Sequence, residues 1–107
     1  MRGNFEDDQV LSTNGQTIEA CGPIEWELPK DQNLKVRVNV DYTQNGDTRN
    51  GHSANDAFKP PDDEWMFVMN TSGDLQPGAA QAHAVALGQN GAKVAEWSGT
   101  VTIVAGS

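Results

Sequence analysis

Only one cysteine, Cys21, occurs in the 107 residues, so no intrachain disulfide is available and packing has to hold the fold. No apolar run approaches the ~20 residues that span a bilayer. The opening Met1-Arg2-Gly3-Asn4-Phe5-Glu6 lacks the apolar core of a secretory signal. Positive charge is scarce as well: 7 Lys plus Arg stand against 15 Asp plus Glu, a net charge of −8. Such a surface repels polyanions, so neither nucleic acid nor an anionic membrane is an expected partner. A helical period is missing too, because no stretch sustains it over three turns. There is no glycine-rich phosphate loop. The two histidines, His52 and His83, fall in separate segments without transition-metal spacing.

What the chain does have is turns and alternation. Its length suits one domain over residues 1–107, with residues 1–8 as a flexible N-terminal arm. Asn14-Gly15, Asn45-Gly46 and Asn90-Gly91 lie between extended flanks, and both residue types tolerate the positive φ that a tight hairpin turn demands. Asn50-Gly51 lacks such flanks. Val10 to Thr13 and Gln16 to Ala20 fold back on each other around the first pair. Ile24, Trp26 and Leu28 alternate with Glu25 and Glu27, predicting a strand that stops at Pro29, while Gly22-Pro23 marks a strand end before it. Leu34, Val36, Val38, Val40 and Tyr42 collect on one side of a further strand, opposite Lys35, Arg37, Asn39 and Asp41.

After Asn45-Gly46, Asp47 to about Ser53 is polar and reads as an edge strand. Pro60-Pro61 breaks the connection that follows. Glu64 to Asn70 then puts Trp65, Phe67 and Met69 on one face and Met66 and Val68 on the other. A two-residue loop at Asn90-Gly91 sets Ala80, Ala82, Ala84 and Ala86 opposite Val101, Gly99, Trp97 and Ala95, with Gln81 facing Thr100 and His83 facing Ser98. Small side chains beside an indole make room for it in a close-packed layer.

About seven or eight short strands with turns between them define an all-β antiparallel sandwich, with a small antiparallel barrel as the alternative. Leu75-Gln76-Pro77-Gly78, leading into the strand from Ala80, resembles the Leu-x-Pro-Gly corner before the penultimate strand of fibronectin type III domains. The resemblance covers the C-terminal third and implies an immunoglobulin-like sandwich. The tyrosine that the family places three residues after the glycine is Gln81 here.

Trp26, Trp65 and Trp97 are in phase with apolar neighbours, which assigns them to the core and leaves a sugar-stacking platform as the minority reading. Cys21 with His52 or His83 is the nearest approach to a nucleophile and base, without a local signature around it. Asp56, Asp62, Asp63 and Glu64 offer hard oxygen ligands for calcium on one loop, and Asp41, Asn45 and Asp47 do so at a hairpin, neither in calcium-loop spacing. Asn70-Thr71-Ser72 fits the glycosylation sequon. The expected function is a non-catalytic binding or structural module, such as a surface domain of a larger assembly, for instance a phage particle. Its expected partner is a protein or a second copy of the chain. Asp47, Arg49 and His52 on the polar edge, and the outward Met66 and Val68, are the expected contact residues. A carbohydrate-binding module with structural calcium is the second reading, and a small enzyme or ligand-binding barrel the third.

Overall fold

In the computed structural model, which describes residues 1–71 and 75–106, alternation of apolar and polar residues becomes eight strands, and the described residues contain no helix. They are β1 (Arg2–Gly3), β2 (Asp8–Leu11), β3 (Thr17–Glu25), β4 (Arg37–Gln44), β5 (Asp47–His52), β6 (Glu64–Asn70), β7 (Gly78–Leu87) and β8 (Lys93–Ala105). One layer holds β1, β3 and β6; the other runs β8, β7, β4, β5. β2 joins them, pairing antiparallel with β3 and parallel with β8. The sheet does not close into a barrel: β5 ends the strand order and β6 pairs with β3 alone. The fold is a β-sandwich of 41 × 23 × 20 Å.

The parallel β2–β8 ladder departs from the expected all-antiparallel pairing. It arises because the chain between β1 and β2 crosses from one layer to the other. On the way, Asn4 N–H donates to Pro23 O and Glu6 N–H to Cys21 O, and Trp65 Nε1 donates to Asn4 O at 2.9 Å. A Cβ on Gly22 would lie 1.8 Å from Asn4 O, so only glycine admits this crossing. Phe5 then sits edge-on to Trp65 and Trp97, with ring centroids 5.6 and 6.4 Å away.

The core lies between the layers. Ile18, Ala20, Ile24, Trp65 and Met69 meet Val36, Val38, Val40, Tyr42, Trp97, Val101 and Ile103, and the row from Ala80 to Ala86 lies beneath them. The predicted pairing of that row with Val101, Gly99, Trp97 and Ala95 is the observed one. The turn itself differs. Gly88 bonds to Ala92 and Gly91 takes φ +80°, giving a three-residue loop, and the surplus residue Val94 is absorbed as a bulge that restores the register. At Asn45-Gly46 the two-residue turn is as expected, with φ +54° and +83°. Asn50-Gly51 stays inside β5, where a Cβ on Gly51 would lie 2.7 Å from Met69 Cβ.

Two strand assignments change. β3 runs unbroken through Gly22-Pro23 to Glu25, since Pro23 needs no ladder donor when its carbonyl is what Asn4 uses. The chain leaves the sheet after Glu25, so Leu28 is 61% exposed rather than core, while Trp26 is half-buried and donates to Asp62 O. Leu34 precedes β4 in a tight turn closed on Asp31, and Val36 meets Phe58 as a separate bridge.

Candidate functional site

Because β-strands alternate, each layer turns a second face to solvent. On the outside of the β7–β8–β4 layer the side chains are mostly polar. His83 Nε2 lies 2.6 Å from Glu96 Oε2 and its Nδ1 lies 3.8 Å from Asp41 Oδ2. Lys93 Nζ donates to the other oxygen of Glu96 at 3.1 Å. Hydrogen bonding from His83, then from Lys93, holds the Glu96 carboxyl below its ordinary value. Asn39, Asp41, Asn50, His52, His83 and Val85 line a shallow depression of about 310 Å³ here. Ser98 stands opposite His83, whose imidazole is turned to Glu96.

The outside of the β3–β6 layer has a different chemistry. Val10 on β2 and Val68 on β6 flank Glu19 on β3 in one cross-strand row. In the next outward row Cys21 is opposite Met66, and beyond it Pro23 is opposite Glu64. Met66 is 49% and Val68 63% exposed. Burial, then the carboxylates of Glu19, Glu6 and Glu64, push the Cys21 thiol up to about 11, against an opposing hydrogen bond from Gln9. The thiol therefore stays protonated near neutrality and is a weak nucleophile.

The structure does not bring the sequence-predicted chemistry together. Cys21 belongs to the outer side of one layer and His83 to that of the other, with the core between them. Among the described residues no group of three His, Cys, Asp or Glu is arranged to hold a metal ion. Of the calcium candidates, Asp62 accepts from Lys59 N–H, Asp63 offers its backbone carbonyl to Ile24, Asp56 takes a left-handed φ of +57°, and Glu64 starts β6. Trp65 and Trp97 are buried, so neither offers a ring to a sugar. Ser72 of the sequon lies outside the described residues, and Thr71 is buried with its hydroxyl on Gly15 O.

The edge residues Asp47, Arg49 and His52 sit on β5, the last strand in the pairing order of the described residues. Thr43 and Thr48 share a hydroxyl hydrogen bond across its pairing with β4. Sequence reasoning missed the position of Glu19 between two valines. The signal was there, since a turn at Asn14-Gly15 already pairs Val10 with Glu19. It also missed Gln9, a fully buried amide.

Compared with known proteins, the chain matches no family model, and no curated protein is significantly similar to it.

Proposed function

We propose that the domain is a non-catalytic, immunoglobulin-like binding module that docks a protein partner, as a surface or accessory domain of a larger assembly does. The immunoglobulin-like reading is supported by a three-strand layer facing a four-strand layer, by a first segment that switches layers to pair parallel with the last strand, and by the buried Leu75 of the Leu-x-Pro-Gly corner before β7. The observation that carries the binding role is the outward pair Met66 and Val68. Most other large apolar side chains of the strands are buried or half-buried, whereas these two are the most exposed of them and stand side by side on one strand.

The test is photocrosslinking of the intact protein in an extract of its source, with the reactive group at Val68 and, as control, at Thr100 on the polar outer face. A protein adduct that depends on position 68 supports the role. Equal labelling from both positions, or substrate turnover abolished by Cys21→Ala or His83→Ala, overturns it.

A further inference from the structure

We propose that the outer face of β2, β3 and β6 binds a basic partner, a protein segment whose apolar side chains cover Met66 and Val68 while Lys or Arg side chains meet Glu19 and its neighbouring carboxylates. This rests on the binding-module reading and specifies the chemistry of what the module takes. The face gathers Val10, Met66 and Val68, three of the five exposed large apolar side chains among the described residues, with Cys21 and Pro23 on the same outward rows, and Val10 is itself 39% exposed. The apolar ground is interrupted by charge of one sign. Glu19 stands between Val10 and Val68, Glu64 stands beside Pro23, and Glu6 is close enough to act on the Cys21 thiol together with both of them.

A second copy of the chain is a poor occupant. A two-fold contact centred on this face brings the same carboxylates of both copies together, on molecules that each carry a net charge of −8. Covering Glu19 with an uncharged apolar surface leaves a carboxylate desolvated without a partner. A cation opposite Glu19, flanked by apolar residues that reach Val10 and Val68, meets both demands at once. Among the described residues β6 pairs with β3 only, and an extended segment lying against the patch turns every second side chain to it, so apolar and basic residues have to take turns at those positions.

The experiment uses the intact domain and an end-blocked peptide of repeating Val-Ser-Lys-Ser units, whose valines and lysines share one face when extended, with valine–glutamate and serine–lysine peptides of the same spacing as controls. Binding is followed by backbone amide NMR at low and high salt. The expected result is that the valine–lysine peptide shifts the amides of Glu19, Cys21, Met66 and Val68, and that both controls bind at least about tenfold more weakly. Replacing Met66 and Val68 together by serine weakens binding about tenfold or more. Glu19→Gln also weakens it and reduces its salt dependence, because one fewer charge is there to be screened. Met66, Val68 and Glu19 all point to solvent, so these variants keep the wild-type far-ultraviolet circular dichroism. If Met66→Ser/Val68→Ser does not fold, Glu19→Gln decides.

Shifts scattered over Asp41, Asp47 and Glu96 of the other layer, or equal binding of the serine–lysine peptide, overturn the proposal as unspecific attraction between opposite charges. Light scattering that shows a dimer dissolved by the Met66→Ser/Val68→Ser replacement overturns it in favour of a second copy. A crosslink at position 68 without binding of the basic peptide overturns the basic partner and leaves the binding module standing; loss of both removes both.

Discussion

The phenolic hydroxyl of Tyr42 donates a hydrogen bond to Gln9 Oε1 at 2.7 Å, inside the core. The same oxygen accepts Cys21 N–H, while Gln9 Nε2 donates to the carbonyls of Cys21 and Glu6. β3 loses its neighbour here, since β2 ends its pairing at Glu19 and β1 takes over at Ile24. The amide of Gln9 stands in for a missing peptide group and ties the gap in one layer to β4 of the other.

Tyr42→Phe removes one hydrogen bond from an oxygen that keeps another, and is expected to cost about 1 kcal/mol. Gln9→Leu leaves the Cys21 N–H, the Glu6 carbonyl and the Tyr42 hydroxyl without the partners they have here, and is expected to cost about 3 kcal/mol or more. Urea denaturation midpoints give the ranking. Equal losses in the two variants would show that Gln9 is not the shared partner.

Cys21 gives the alkaline behaviour. Its thiol is raised from 9.0 to about 11 by burial and by the nearby carboxylates, so the folded state holds the proton more tightly than the unfolded one. Its contribution to stability is therefore complete below pH 9.0 and is lost as pH rises towards about 11. Burial also raises the Tyr42 hydroxyl, so the informative quantity is the difference between the wild type and Cys21→Ser. That difference is expected to shrink across this window. A difference that stays flat with pH rules the explanation out.

At acid pH the exposed Glu96 is the group to watch. Hydrogen bonds from His83 and Lys93 hold its carboxyl below the ordinary 4.5, so the stability it lends is present above that pH and fades as pH falls through its folded value. A carboxyl NMR titration is expected to place its midpoint below 4.5, and His83→Ala to move it upward. A midpoint indifferent to that substitution contradicts the contact.

Where β5 and β6 approach, Gly51→Ala puts a methyl 2.7 Å from Met69 Cβ and is expected to cost about 1–3 kcal/mol. Neighbours that clash do not add. Paired with Met69→Gly, which takes away that Cβ and whose own cost exceeds the about 2–5 kcal/mol of truncation to alanine, the double variant is expected to be more stable than the two losses combined. Simple additivity would place the strain elsewhere.

Much of this architecture was legible in the order of residues. Glu64 to Asn70 emerges with both faces and both ends as read, and the alanine row meets Trp97 in the predicted register, because period-two alternation and turn chemistry are local properties. The failures involve long-range partners. Leu28 continues an apolar alternation that looks like a strand, yet no neighbouring strand reaches it. Gln9 went unread, since nothing local signals that its amide fills a gap in a ladder. The surface chemistry was half visible. Met66 and Val68 declared themselves as the wrong face of a strand, but the carboxylate among the apolar residues appears only when β2, β3 and β6 lie side by side.

The parallel pairing of β2 with β8 fixes how the domain would carry a load. Met1 lies near Val94, at the start of β8, and the chain finishes past Ala105 at that strand's far end. A pull applied between residues 1 and 106 drags β2 and β8 in opposite directions along their length. The four residue pairs from Asp8–Thr102 to Leu11–Ala105 then resist together in shear, instead of peeling apart one after another. The layer switch that Gly22 makes room for is thus also a mechanical clamp.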